Sequence, residues 1–414
     1  MINNITIKNY KSIKDVKLDL ARINVFIGEN GAGKSNVLEA IAIAGAAQAR
    51  KLDNEFLTSR GVRTTEPQWM RNAAKGAKGA KTDKILISAK CDDSQLSYEI
   101  SMDDSPYPKW HCKLKDEVKV ELDIDDVVRI MNHIKSNTAS DKQAAASFME
   151  LIRTLGSSST IIGSPTREPE YTVKDTGLEF IRDRAAHTAH VFKALSEFII
   201  YSPENTALRT FEKEGQIEPL GINGEGVLKL LTVLDSENDK STINNIKHSL
   251  KVLGWFRDFE IELGGANTPS RMRIDDRWLD DNLNGFDQKS ANEGFLFLVF
   301  YFCLFSSELT PKFFAVDNID ASLNPKLCEH LIVKLYELAK KHDKQAILTA
   351  HNPAVLDGVD LTNDDFRLFV VARGGKGQTR VRRVLSPEIV PGHRPLRLSE
   401  AFIRGHLGGL PEGF

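Results

Sequence analysis

The 414-residue chain carries 55 Lys and Arg against 57 Asp and Glu, a net charge of −2, and is 41% hydrophobic. This near-balance sets up no global field toward nucleic acid or membrane, so any such surface has to be local. The length allows two or three average domains, or one large domain with an insertion.

Residues 4–9 alternate polar and apolar and read as a strand, and 22–27 (RINVFI) form a second strand that runs into a glycine-rich loop. Residues 35–50 read as a helix with Val37, Leu38, Ile41 and Ile43 on its apolar face. Beyond residue 51 the character changes: 71–84 are basic and weakly patterned, 85–122 read as short antiparallel strands around Asp- and Pro-rich turns, and 125–196 offer helical stretches broken by a Ser/Gly/Pro loop at 156–169. A strand resumes at 197–201, a helix follows at 225–235, and a helix-to-strand run at 243–263. The last part alternates: helix 291–308, strand 312–317, helix 325–342, strand 345–350, and strands at 367–372 and 379–384. Such alternation marks a layered α/β sheet. The simplest organisation is one α/β domain built from residues 1–50 and 197–414, interrupted by an α+β insertion at 51–196.

No segment approaches the roughly 18 apolar residues that cross a bilayer, so the run Phe295–Phe305 reads as a buried helix. The N-terminus has no apolar signal core. Cys91, Cys112, Cys303 and Cys328 are scattered without a CxxC pair and read as reduced thiols. The expected location is the cytoplasm.

Gly28-Glu29-Asn30-Gly31-Ala32-Gly33-Lys34-Ser35 fits G-x-x-x-x-G-K-[ST], with Asn36 next in the helix. Glycines let the loop visit positive φ and approach an anion closely, and the following helix aims its N-terminal dipole at it. Lys34 is placed to reach β- and γ-phosphates, and the Ser35 hydroxyl to ligate Mg²⁺. The second metal ligand is expected at the end of a buried strand, where Lys312–Val316 closes on Asp317. A further buried strand, 345–350, ends on His351, which beside Asp317 reads as a contact for the γ-phosphate or the attacking water. Ser290-Ala291-Asn292-Glu293-Gly294 begins a strongly apolar helix and offers backbone N–H groups to an anion.

In that order of motifs, and in the opening Ile7-Lys8-Asn9-Tyr10-Lys11-Ser12-Ile13, the chain resembles the ABC-type ATPase heads of RecF, the SMC proteins and the OLD-like ATPases, over about residues 1–50 and 197–410. The resemblance implies a P-loop head with a mixed sheet and flanking helices. It makes Gly28–Ser35 the Walker A loop, Asp317 the Walker B aspartate, Ser290–Gly294 the signature, Asp320–Asn324 the D-loop and His351 the switch histidine. Lys11 and Ser12 would lie near the base. In that family two heads sandwich two ATPs, which implies a homodimer or higher oligomer. Two departures matter. Asn318 stands where the family has a glutamate base and cannot accept a proton, leaving Asp320 as the substitute. Asn292-Glu293-Gly294 replaces the usual Ser-x-Gly. Ser202–Asn205 is the candidate Q-loop.

The stretch beyond His351 is too short for a Toprim nuclease, and the ten histidines form no metal-spaced cluster. The expected partner is therefore a separately encoded effector, a nuclease, as in the ATPase subunits of two-gene anti-phage systems such as PtuA of Septu and AriA of PARIS, which the chain also resembles. A RecF-like, DNA-binding repair ATPase and a non-hydrolysing ATP-bound scaffold are the alternative readings. The basic residues Arg71, Lys75, Lys78, Lys81 and Lys84 read either as contacts to a phosphate backbone or as a solvated loop. The tail from Leu398 to Pro411 is an amphipathic piece with a glycine stop that docks on the chain's own core or on a partner.

Overall fold

The computed structural model describes residues 1–72, 84–92, 94–103, 105, 107–118, 192–210, 217–264, 270–280, 282, 283, 285–386 and 396–410. The strands are β1 (Asn4–Tyr10), β2 (Ile13–Asp19), β3 (Ile23–Ile27), β4 (Ile85–Cys91), β5 (Ser94–Met102), β6 (Trp110–Val118), β7 (Ile200–Tyr201), β8 (Phe256–Glu262), β9 (Arg271–Asp276), β10 (Phe286–Asp287), β11 (Phe313–Val316), β12 (Gln345–Ala350), β13 (Phe366–Arg373) and β14 (Thr379–Val384). The helices are α1 (Lys34–Gln48), α2 (Asn54–Ser59), α3 (Pro67–Met70), α4 (Asn205–Leu208), α5 (Val227–Ser236), α6 (Ser241–Leu250), α7 (Glu293–Ser306), α8 (Pro325–Lys341) and α9 (Leu398–Ile403).

Among the described residues six strands form the central sheet, in the order β14-β13-β3-β12-β11-β7, parallel except for β14. Parallel strands carry side chains into two buried layers and so read as near-continuous apolar runs. In β3, Ile23, Val25 and Ile27 enter one core and Phe26 the other. Asn24 is the polar exception; it is fully buried and its amide donates to the carbonyls of Ala21 and Ala346.

On one face lies α1, whose run of alanines and small residues lets it be buried on nearly every side between the central sheet and an outer antiparallel sheet ordered β2-β1-β4-β5-β6. The strands of 85–118 add directly to β1, so no seam in that sheet separates them from the N-terminal strands. On the other face α7 is buried from Phe295 to Ser306, packed against α5, α6 and α8, with the small sheet β10-β9-β8 beside it. Among the described residues no helix is long and apolar enough to cross a membrane.

The late alternation of helix and strand matches to within two residues at each end, whereas strand 197–201 shrinks to Ile200–Tyr201. The strand β2 was not anticipated: its acids and lysines alternate with Val16 and Leu18 on a single buried face. Residues 125–191, including the loop at 156–169, and Lys75, Lys78 and Lys81 lie outside the described residues.

Candidate nucleotide site

Register assembles the site. Ile27 pairs with Ala350 and Val316 with Leu348, so β3, β12 and β11 end together and deliver Gly28, His351 and Asp317 to one crevice. Ligands in open α/β sheets bind at such C-terminal strand ends. The crevice is a cavity of about 330 Å³ lined by residues 30–36 of the loop together with Arg63, Asp317, Asn318, His351 and Arg373.

The loop is shaped by close approach. A Cβ on Gly28 would lie 1.9 Å from the carbonyl oxygen of Val371, and one on Gly33 (φ +107°) 2.1 Å from Thr379 Oγ1. No side chain fits at either position. Thr379, on β14, donates to the Ala32 carbonyl at 2.8 Å and lies 2.6 Å from Ser12 Oγ, which also accepts from Asn36. Arg373 Nε donates to the Gly31 carbonyl at 2.8 Å. Thr379 and Arg373 escaped the sequence reading because they arrive from the far end of the chain with no motif around them.

Lys34 is buried, its ammonium 2.7 Å from the Gly28 carbonyl, 3.1 Å from that of Glu29 and 3.5 Å from His351 Nδ1. Burial lowers its pKa, opposed by Asp317, Asp320 and Glu29. His351 is likewise pushed below 6.5, first by burial and then by the charge of Lys34, so its imidazole is neutral at pH 7. Ser35 Oγ donates to Asp317 Oδ2 at 2.9 Å, and Thr349 Oγ1 donates to Oδ1 of the same carboxylate. A hydroxyl and a carboxylate side by side at the cavity are hard oxygen donors, the set a divalent cation takes when phosphate and water complete its shell. The residues present therefore fit such an ion.

Asn318 has φ +58°, a left-handed conformation that asparagine tolerates better than most residues. Its N–H donates to Thr349 Oγ1 at 2.9 Å. Asp320 is placed differently: its carboxylate accepts the N–H groups of His351 (3.1 and 3.2 Å) and Asn352 (2.7 Å), and so holds the turn that follows β12.

Lys11 joins a buried carboxylate rather than the cavity. Its ammonium lies 2.6 Å from Glu39 Oε2, which also accepts from Tyr10, while Arg63 Nε meets Oε1 at 2.6 Å. Burial lowers the Lys11 pKa and Glu39 opposes that shift. Lys11 and Ser12 do line a second, adjoining cavity of about 540 Å³ with Thr65 and Trp69, sharing Asn36, Arg63 and Arg373 with the first. Its lining is one aromatic ring, Trp69, among polar and basic side chains that include Arg71, and a ring beside the phosphate crevice suits a flat base.

Ser290, Asn292, Glu293 and Gly294 are not brought to the chain's own phosphate loop. Asn292 caps α7, accepting from the Phe295 N–H at 2.8 Å. Glu293 accepts from Asn205 at 2.6 Å and from Ser322 at 2.8 Å, which wires the segment to both 202–205 and 320–324. Arg209 donates to the carbonyls of Gln288, Lys289 and Ala291 and so fixes its approach. Ser290, Asn292 and Glu293 remain exposed. Of the basic run, Lys84 is paired with Glu99 at 3.1 Å.

Fold and crevice together define a P-loop ATPase domain. The family comparison agrees: the AAA ATPase domain model matches residues 1–356, and the chain belongs to that family. It is similar to the DNA replication and repair protein RecF of Bacillus cytotoxicus, 38% identical over 55 residues, covering 13% of this chain and 15% of RecF. It is also similar to an ATP/GTP phosphatase of Helicobacter pylori, 48% identical over 42 residues, 10% of this chain and 11% of that protein. The chain thus spans only a small part of the length of the curated relatives it matches. Among solved structures, an Smc head bound to the C-terminal winged-helix domain of ScpA superposes with a TM-score of 0.52 at 12% identity, covering 93% of this chain and 98% of that one. Membership of that family implies ATP as the ligand, together with a divalent metal.

Proposed function

We propose that the protein is a slowly hydrolysing ATP switch that binds ATP with Mg²⁺, pairs with a second copy around the nucleotide and controls a separately encoded effector, a nuclease, in anti-phage defence. One observation carries the slow turnover. The residue after Asp317 is the carboxamide of Asn318, and the next carboxylate, Asp320, already accepts two backbone N–H groups. Those bonds commit Asp320 to holding the His351 turn, which makes it a less free base than a glutamate at position 318 would be.

Ser35 and Asp317 would hold the cation, which when bound neutralises charge on the β- and γ-phosphate oxygens. Lys34 exchanges its carbonyl acceptors for phosphate oxygens, and neutral His351 offers a ring nitrogen to the γ-phosphate or to water. Asn318 can orient a water but takes no proton from it. The cavity bearing Trp69 would receive the base. The exposed side chains of Ser290, Asn292 and Glu293 are what a second copy's nucleotide would meet, in keeping with their absence from the lining of the chain's own cavity. The effector role rests on the chain's resemblance to the ATPase subunits of two-gene defence systems.

The test is hydrolysis by the purified chain under single- and multiple-turnover conditions, with its mass followed by light scattering. ATP and Mg²⁺ are expected to double the mass, with turnover below the ~1 s⁻¹ floor usual for enzymes. Fast turnover by a monomer would end the proposal. Metal-dependent DNA cleavage by the chain alone would remove the separate effector.

A RecF-like role in DNA binding is the second reading, favoured by one surface: Lys14, Lys17, Arg380 and Arg382 line a shallow cavity of about 410 Å³ across β2 and β14. It predicts ATP-dependent DNA affinity that falls steeply with salt, measured by fluorescence anisotropy at 50 and 200 mM salt.

A further inference from the structure

The C-terminal tail is absorbed by none of this chemistry, yet it reaches both halves of the site. Its helix α9 buries Ala401 and Phe402 and lies on the turn at Pro353–Gly358, two residues past His351. Ser399 donates from its N–H (3.0 Å) and from its hydroxyl (2.7 Å) to the two oxygens of Asp357. From there Gly405, Gly408 and Gly409, all at positive φ, turn the chain back across β13 and β14. Arg382 holds the Leu407 carbonyl on the way.

The tail then meets the phosphate loop. The Glu29 N–H donates to the Gly409 carbonyl at 3.2 Å. A Cβ placed on Gly409 would lie 2.5 Å from Val370 Cγ1 and 3.7 Å from the Cα of Gly28. The Val371 carbonyl fills the side-chain position of Gly28, while a side chain at Gly409 would be driven into Val370 and displace the segment whose carbonyl holds the Glu29 N–H. The carbonyls of Gly28 and Glu29 are also the acceptors of the Lys34 ammonium. What fixes these two residues fixes where that ammonium starts.

We infer that the tail is a built-in part of the nucleotide site, a clamp whose Gly409 positions the entry of the phosphate loop, and through it Lys34, for the phosphates of ATP. Because α9 is anchored on the turn after His351, the same segment ties the loop to the histidine side of the crevice. Gly409 is a positioning residue; it touches the loop and not the nucleotide. The inference rests on ATP binding at Gly28–Ser35, and binding is read separately from turnover, so that a wild type that binds without hydrolysing bears on Asn318 and leaves the clamp open to test.

The experiment titrates an N-methylanthraniloyl ATP into wild type, Gly409→Ala and Gly408→Ala, and measures KM and kcat where turnover is present. Gly408 shares the left-handed backbone (φ +68°) but has open space, its nearest atom being 3.9 Å away on Arg382. Gly408→Ala thus reports backbone strain alone. Gly409→Ala is expected to weaken nucleotide binding and raise KM by about tenfold, the size of one displaced hydrogen-bonded contact, with kcat changed less than about twofold; Gly408→Ala should stay within about threefold. Equal behaviour of the two variants, whether both bind normally or both fail, would overturn the clamp. If Gly409→Ala does not fold, hydrogen exchange on the wild type decides. Linkage is reciprocal, so ATP has to slow exchange at 398–410 along with the phosphate loop. Unchanged exchange in the tail on ATP binding would likewise overturn it.

Discussion

Two buried lysines sit at opposite ends of one parallel sheet and serve opposite purposes. Lys34, at the C-terminal ends of the strands, is 5% exposed; Lys344, just before β12 at the N-terminal ends, is fully buried. Burial lowers the pKa of both, that of Lys344 to about 7. They differ in their acceptors. Lys344 is caged by the carbonyls of Ser307 (2.6 Å), Thr310 (2.8 Å) and Pro311 (3.3 Å) and by Thr310 Oγ1 (2.9 Å). Its three N–H bonds are used up, and they pin the loop after α7 to the start of β12. Lys34 holds two carbonyls on one side and faces a cavity on the other, among the acids Asp317, Asp320 and Glu29. A buried lysine whose donors are all fixed is a fastener. One left partly open among acids is poised for an anionic ligand.

That contrast can be broken in four ways. Lys34→Ala should abolish turnover by about 10³-fold or more, the scale on which charge stabilisation of a transferring phosphoryl group operates, while leaving the thermal midpoint near wild type; calorimetry and a phosphate-release assay read both. If the variant instead unfolds, Lys34 is a fastener too. Lys344→Met should reverse the pattern. Losing two or three hydrogen bonds from a charged donor, partly offset by removing a buried charge, costs about 3 kcal/mol by urea unfolding, with nucleotide affinity retained in the folded fraction.

A smaller effect concerns Asn318. Asn318→Asp keeps a residue that tolerates the left-handed backbone and puts a carboxylate beside Asp317, so turnover should rise about tenfold, less than the roughly 10²–10⁴-fold of a well-placed general base because aspartate is one methylene shorter than the family's glutamate. No rise would move the missing base elsewhere. The smallest effect is on pH. His351 and His342 both have folded pKa values below 6.5, the first by burial and the charge of Lys34, the second by burial and neighbouring lysines. In the window between the folded value and 6.5 the unfolded chain binds more protons, so stability rises with pH there. It is lost as pH falls from about 6.5 through the folded values. A midpoint-against-pH curve should flatten by a share in His351→Asn and by another in His342→Asn.

Lys34 and Lys344 also mark what could be read without a structure. The phosphate loop is a local device: glycines, a lysine and a hydroxyl at fixed spacing, with a strand before and a helix after, so all its parts lie within a few residues. Asp317 and His351 were legible for a related reason, since each closes a buried apolar strand. Lys344 had no such signal. A lysine one residue ahead of a strand reads as solvent-facing, and only the fold of 307–311 over it supplies its acceptors.

The same division runs through the rest of the molecule. Sequence by itself determined the apolar strands of the parallel sheet, the buried helix α7, the phosphate loop and the acid and histidine that answer it, because periodicity and turn chemistry act over short distances. Tertiary structure alone decided that Thr379 and Arg373 buttress the loop, that Glu39 gathers Tyr10, Lys11 and Arg63, that Asp320 holds the His351 turn, and that Gly409 closes on Gly28. Each of these joins segments distant in the chain. Their geometry is set by strand register and by backbones packed too closely for a side chain, and neither leaves a pattern in the order of the residues.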